Sequence, residues 1–198
     1  MTTTLTISAV ILCYLIGAIP FGLLFTRWFS HIDVRTVGSG NIGATNVLRA
    51  AGKKAAILTL LADCLKGLLP VLAIRLLFHD DYTSVLSGAA ALLGHTFPIY
   101  LGFKGGKGVA TSFGVALALT PLAALASLIT WAVAAFLWRY SSLAALTAFA
   151  LYPLYTFTLY PSQHLQLLSL FLFGMIYARH RDNVKRLIAG TESKIGKK

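Results

Sequence analysis

Apolar residues run on in this sequence for lengths that a soluble core has little use for. Seven such runs, at 5–25, 55–78, 85–101, 109–119, 122–137, 143–160 and 165–178, follow one another with short hydrophilic or turn-forming stretches between. Crossing the hydrocarbon of a bilayer as a helix takes about 20 apolar residues. In lipid every backbone N–H and C=O must be bonded inside the protein, which for runs of this length means α-helices. Charge is correspondingly scarce. Only 12% of the 198 residues are charged and 57% are hydrophobic, against about 25% charged in a soluble domain. An all-α, polytopic integral membrane protein is expected, folded as one domain over residues 1–198. The first run has no basic segment before it and no small-residue cleavage site after it, so it is expected to remain as a membrane helix. Several runs fall short of a full span and are expected to be short, broken or sheltered.

The topology turns on Thr120-Pro121. A proline there permits one kinked helix or two spans. Counting two gives seven transmembrane helices. The stretches around 27–54, 104–107, 139 and 179–198 then share one side. They hold 15 of the 17 Lys+Arg: five, two, one and seven in turn. The other side keeps His79-Asp80-Asp81, Thr120-Pro121 and 161–164, with no Lys or Arg. Cationic loops stay cytoplasmic, so the N-terminus is expected outside and the C-terminus in the cytoplasm. The remaining cations, Lys66 and Arg75, fall inside the second run. Arg75 is near its end and can snorkel. Lys66 is deeper, with Asp63 three residues before it on the same helix face. Those two form either a neutralised pair or part of a site's inner mouth.

The formal net charge of +11 points to anionic partners. The apolar runs exclude nucleic acid and leave the lipid bilayer and anionic substrates. Cys13 and Cys64 lie in apolar runs and read as small core residues. The carboxylates and histidines have no ligand spacing, so neither a metal site nor a cofactor is expected.

Three basic, glycine-rich stretches carry the chemistry. The first is Gly38-Ser-Gly-Asn-Ile-Gly-Ala-Thr-Asn-Val-Leu-Arg49. Gly38, Gly40 and Gly43 spell a dinucleotide-binding fingerprint with Asp63 20 residues on. That motif needs a preceding strand and a βαβ unit, and here it lies between membrane helices. What survives is a backbone that can turn its N–H groups toward an anion, ahead of a helix start near Gly43 or Ala44. Ser39, Asn41, Thr45 and Asn46 add neutral donors, and Arg49 adds a planar fork for phosphate.

The second stretch is Gly94-His, then Phe103-Lys-Gly-Gly-Lys-Gly-Val-Ala-Thr111. It fails as a Walker loop on spacing and on Gly108 in place of the hydroxyl residue. Lys104 and Lys107 nevertheless stand on Gly105, Gly106 and Gly108 just before a helix N-terminus, and topology alone requires no such glycines. His95 reads equally as a helix end, a packing residue or a functional group. The third stretch is 178–192. Arg179, His180 and Asn183 point to a site, His180 and Asn183 being three apart and able to share a face. Lys185, Arg186, Lys194, Lys197 and Lys198 read as a juxtamembrane patch for anionic lipid. A fourth element, Arg139-Tyr-Ser-Ser142, reads by itself as a helix cap.

These strings closely resemble the bacterial acyl-phosphate:glycerol-3-phosphate acyltransferases. The match takes in the first two stretches, Arg179-His-Arg-Asp-Asn183 with Gly190 and Glu192, Asp63-x-x-Lys66-Gly67 and Arg139-Tyr-Ser-Ser142-Leu. It covers nearly the whole chain. The resemblance implies seven membrane helices in the bacterial cytoplasmic membrane and an active site toward the cytoplasm. It implies transfer of a fatty acyl group from acyl phosphate to the sn-1 hydroxyl of glycerol 3-phosphate, giving lysophosphatidic acid and phosphate. Carried over, the catalytic group falls on Ser39, Arg49, Lys107, Ser142, His180 and Asn183. Substrate or phosphate contacts fall on Gly38, Gly40, Asn41, Thr45, Asn46, Lys104, Gly105, Gly106, Gly108, Arg179 and Glu192.

The chemistry is consistent with that. Acyl phosphate is already activated, so the protein's tasks are to position a hydroxyl and stabilise developing negative charge. No His is followed five residues later by Asp, the base-and-orienter pair of many other acyltransferases. The proton therefore goes elsewhere: either His180 is the base or a substrate positioner, or an oxygen of the donor phosphate takes the proton. A membrane transporter for phosphate or another anion also explains basic loops. It accounts less well for polar groups gathered on one side and for the lack of an internal repeat.

Overall fold

The computed structural model describes residues 2–196, and Lys197 and Lys198 of the expected lipid-binding patch lie outside them. Among these residues nine α-helices follow in order. They are α1 Thr3–Gly17, α2 Phe21–Ser30, α3 Ala44–Phe78, α4 Asp81–Thr96, α5 Val109–Leu119, α6 Pro121–Trp138, α7 Ser141–Leu159, α8 Gln163–Arg179 and α9 Arg181–Ile188. Two compact units divide the chain between Leu119 and Thr120.

The all-α, polytopic expectation holds, but the count of seven spans does not. Among the described residues, five helical stretches are long and apolar enough to cross a membrane: Thr3–Ser30, Ala44–Phe78, Asp81–Leu101, Pro121–Trp138 and Ser141–Leu159. Proline does separate two helices at 120–121, with Pro121 opening α6 and Thr120 outside helical geometry. The helix before it, α5, has only 11 residues, however. At about 1.5 Å per residue that is roughly half of the hydrocarbon core. Helix α8 has 17 residues and begins with the polar Gln163, His164 and Gln166. The expected outside N-terminus and cytoplasmic C-terminus rest on seven spans; five stretches, also an odd number, keep the two termini on opposite sides and do not fix which side each takes.

In the first unit, small residues let helices touch backbone to backbone, as packing in lipid favours. A Cβ on Gly94 would strike the Tyr14 carbonyl, and one on Gly17 the Ala91 carbonyl, so α1 and α4 cross in contact. Gly67 meets the Thr111 carbonyl and Gly114 the Cys64 carbonyl, which does the same for α3 and α5. Gly52 breaks helical geometry inside α3 with φ 79°. Leu23, Val34, Ile42, Val47, Ala55 and Ala56 form a buried cluster, with Leu101 packed against it. The stretch 31–43 and the approach to the second glycine-rich loop are thereby seated on one apolar base.

In the second unit, α6 and α7 are joined by hydroxyl pairs, Thr120 with Tyr152 at 2.8 Å and Thr130 with Tyr155 at 2.9 Å. Tyr177 of α8 donates to the Leu146 carbonyl of α7 at 3.2 Å. The tail returns to the α6–α7 turn. Ile195 N–H donates to the Arg139 carbonyl at 2.6 Å, and Arg139 Nη2 donates to the Ile195 carbonyl at 3.2 Å.

Candidate active site

The residues expected in the site divide between the units. Those of the first stretch gather around one side chain, Asn46. It is buried at the start of α3. Its Nδ2 donates to the carbonyls of Val34, Val37 and Asn41 at 2.9–3.0 Å, and its Oδ1 accepts from Ser39 N–H at 3.0 Å. Asn46 is thus spent on the loop backbone instead of being offered to a ligand. Asn41 Oδ1 accepts from Gly43 N–H at 2.9 Å, which sets up the helix start at Ala44. Gly38 and Gly40 have φ of 58° and 67°, where a side chain is strained. A Cβ on Gly38 would strike Asn46 Oδ1 and come within 3.9 Å of Arg49 Cδ. The loop therefore lies over Asn46 and Arg49, leaving Ser39, Thr45 and Arg49 exposed beside a helix N-terminus. Before it, Arg35 bonds Asp33 through side chain and backbone and holds its carboxyl well below the usual carboxylate range.

The second loop needs its glycines for packing, a demand that is separate from topology. Gly105 N–H donates to the Thr96 carbonyl and Gly106 N–H to the His95 carbonyl, each at 3.1 Å. A Cβ on Gly106 would strike the His95 ring, and one on Gly108 the Leu92 side chain. These two amides hold the loop to the end of α4. Lys104 is exposed and Lys107 half-buried, just ahead of α5. His95 is buried, with Nδ1 3.7 Å from Asp63 Oδ1. Asp63 is in turn 2.7 Å from Lys66 Nζ.

In the second unit the centre is Glu192. Its Oε1 accepts from Ser142 Oγ and from Asn183 Nδ2, each at 2.6 Å, and its Oε2 accepts from Arg186 Nε at 2.7 Å. Burial pushes this carboxyl up, but the three hydrogen bonds and the Arg186 charge outweigh it and hold it below the usual range. Ser142 does not cap α7; its hydroxyl goes to Glu192. Arg186 is an ion-pair partner of Glu192, not simply part of a lipid-facing patch. Sequence reading misses this arrangement. Its one signal is Glu192 itself, an acid among cations, which calls for a partner. His180 is buried at the joint of α8 and α9 and follows Arg179 directly. Its Nδ1 is 2.8 Å from the Ile176 carbonyl. A carbonyl only accepts, so Nδ1 carries the hydrogen and Nε2 of the neutral ring is the acceptor.

Residues 7–190 match the family model described as glycerol-3-phosphate acyltransferase. The glycerol-3-phosphate acyltransferase of Agrobacterium fabrum is 50% identical over 190 residues, covering 96% of this chain and 92% of that protein. That of Halorhodospira halophila is 50% identical over 192 residues, covering 97% and 98%. Two crystal structures of PlsY (YgiH), an integral membrane glycerol 3-phosphate acyltransferase, are similar throughout. The glycerol 3-phosphate form has a TM-score of 0.93 at 40% identity over 96% of both chains. The lysophosphatidic acid form has a TM-score of 0.90 at 39% identity, over 96% of this chain and 95% of that one. The transporter alternative is set aside, and the chain belongs to the membrane-integral, acyl-phosphate-dependent glycerol-3-phosphate acyltransferase family.

Proposed function

We propose that residues 1–198 act as one domain carrying out one reaction. That reaction moves a fatty acyl group from acyl phosphate to the sn-1 hydroxyl of glycerol 3-phosphate. The products are 1-acyl-glycerol 3-phosphate and phosphate, and the setting is a multi-pass protein of the bacterial inner membrane. The observation that carries the assignment of roles is the Asn46 tie, which presents Ser39 and Arg49 together at the start of α3.

As the hydroxyl attacks the carbonyl, charge builds on the carbonyl oxygen and then on the departing phosphate. Arg49 and Lys107 stabilise that charge, with Ser39 and Thr45 as neutral donors and Lys104 and Arg179 as further cations. Gly38, Gly40 and Asn41 shape the first loop, and Gly105, Gly106 and Gly108 shape the second. Ser142 and Asn183 take their orientation from Glu192 and contact substrate from that fixed position. His180 Nε2 accepts the hydrogen bond of the attacking hydroxyl. Basic loops favour the cytoplasmic face for this site.

The first test mixes purified protein in detergent with palmitoyl phosphate and glycerol 3-phosphate. Phosphate release and lysophosphatidic acid formation are followed, with Lys107→Ala in parallel. Product that needs both substrates and is lost in Lys107→Ala is expected. A folded wild type with no product on palmitoyl phosphate would overturn the reading. For His180, an acid limb in kcat that disappears in His180→Ala identifies it as proton acceptor. A limb that persists gives the proton to the donor phosphate and leaves His180 as positioner. For sidedness, Lys104→Cys should react with a membrane-impermeant maleimide in inside-out vesicles and not in intact spheroplasts.

A further inference from the structure

Three ionisable side chains meet inside the first unit, apart from the exposed groups assigned to substrate. The Lys66 and Asp63 side chains in α3 are 2% and 4% exposed, and that of His95 at the end of α4 is 3% exposed. Lys66 Nζ donates to the Ile19 carbonyl at 2.8 Å, where the chain breaks between α1 and α2, and lies 5.7 Å from the Phe21 ring. Burying such charges is costly, and apolar residues of similar volume often serve stability as well or better. Neutralising each other explains Asp63 and Lys66 but gives no reason for His95. The second loop gives one. His95 and its neighbour Thr96 supply the carbonyls that hold Gly106 and Gly105, and the His95 ring lies against Gly106. Lys107 is the next residue.

We propose that Asp63, held by Lys66, orients the His95 ring and through it places Lys107: a buried positioning relay running from the Ile19 carbonyl to the glycine-rich loop. It rests on the assignment of Lys107 to a substrate phosphate. Asp63 faces Nδ1, which favours the hydrogen on that nitrogen and turns Nε2 toward Gly106. Partners one step removed from the reacting groups commonly set a histidine's tautomer and aim in this way. A rotated ring no longer leaves Gly106 its place, and the lysine after it moves.

The test uses the full chain in detergent, with palmitoyl phosphate and glycerol 3-phosphate. The variants are Lys107→Ala, His95→Gln, Asp63→Asn and His95→Gln combined with Lys107→Ala. Asp63→Asn strands the Lys66 charge, so Asp63→Asn/Lys66→Gln is made beside it, and thermal melting reports folding. His95→Gln and the charge-neutral double variant are expected to lower kcat/KM by about tenfold or more. Their loss should divide between kcat and KM as that of Lys107→Ala does. Added to Lys107→Ala, His95→Gln should cost less than about a further twofold, because groups that act as a unit are not additive. Multiplying losses, or variants that melt early but keep wild-type kcat/KM, would overturn the relay and leave Lys107 in place. Wild-type kinetics in Lys107→Ala would overturn the reading of the loop itself.

Discussion

The two units hold their polar side chains by opposite means. In the first, a neutral amide ties a loop through bonds to backbone 5–12 residues away, and the exposed groups project from it. In the second, a carboxylate bonds side chains directly, reaching Ser142 from 50 residues away. A backbone tie is local and indifferent to pH. An ionic hub joins distant segments, and its strength depends on remaining charged. Substitutions that remove a projecting group should therefore separate activity from stability in the first unit, while substitutions at the ties should not.

The largest effect is expected at Arg49. It is exposed, so Arg49→Ala should keep the wild-type melting temperature while kcat falls by about 10²–10³. Arg49→Lys should recover part of that, because a point charge replaces a planar fork. Melting that falls as steeply as kcat would show Arg49 to be part of the tie. Next comes Asn46→Ala, which strips partners from three carbonyls and one N–H. Each buried orphan costs about 1–3 kcal/mol, so stability and activity should fall together. Asn46→Asp keeps the acceptor for Ser39 but turns a carboxylate toward three carbonyls, and should be no better tolerated than alanine. A stable Asn46→Asp with only a substrate-binding defect would return Asn46 to the ligand.

Much of the first unit is legible in the sequence because its signals are contiguous. Gly38 to Arg49 is one string, and its helix start at Ala44 follows from the glycines and Asn41. The role of Asn46 is not legible, because a sequence shows an amide's donors and not what has already taken them. Gly105 and Gly106 read as ligand-facing for the same reason, since His95 and Thr96 precede them by about ten residues and come back only in three dimensions. The count of spans fails on different grounds. Apolar runs at 109–119 and 165–178 have the composition of spans, but the helix lengths and the polar start of α8 decide the matter. The Glu192 hub joins residues 142, 183, 186 and 192, and no local pattern announces it.

Glycines offer a smaller contrast between the units. A Cβ on Gly114 would strike the Cys64 carbonyl of the neighbouring helix, so Gly114→Ala should force α3 and α5 apart and lower the melting temperature. Around Gly174, in α8, nothing lies within 4 Å of the place a Cβ would take. Gly174→Ala should raise stability by about 0.5–1 kcal/mol through helix propensity alone. A destabilised Gly174→Ala would show a close neighbour at that helix face.

The smallest effect is the pH dependence that Glu192 adds in the second unit. Glu192 is held below the usual carboxylate range in the folded protein, and unfolded it titrates near about 4.3. Its ionised form therefore contributes stability that is complete above the unfolded value. That contribution declines as pH falls below it and is gone once pH passes beneath the folded value. Comparing wild type with Glu192→Gln isolates this, because Asp33, also depressed, titrates alike in both. The gap in melting temperature should be widest near neutrality and close as pH drops through the range below about 4. Asn46→Ala should show no such closing, since neither the amide nor its partners titrate there. A gap for Glu192→Gln that stays constant with pH would mean that the carboxylate's charge is not what binds Ser142, Asn183 and Arg186 together.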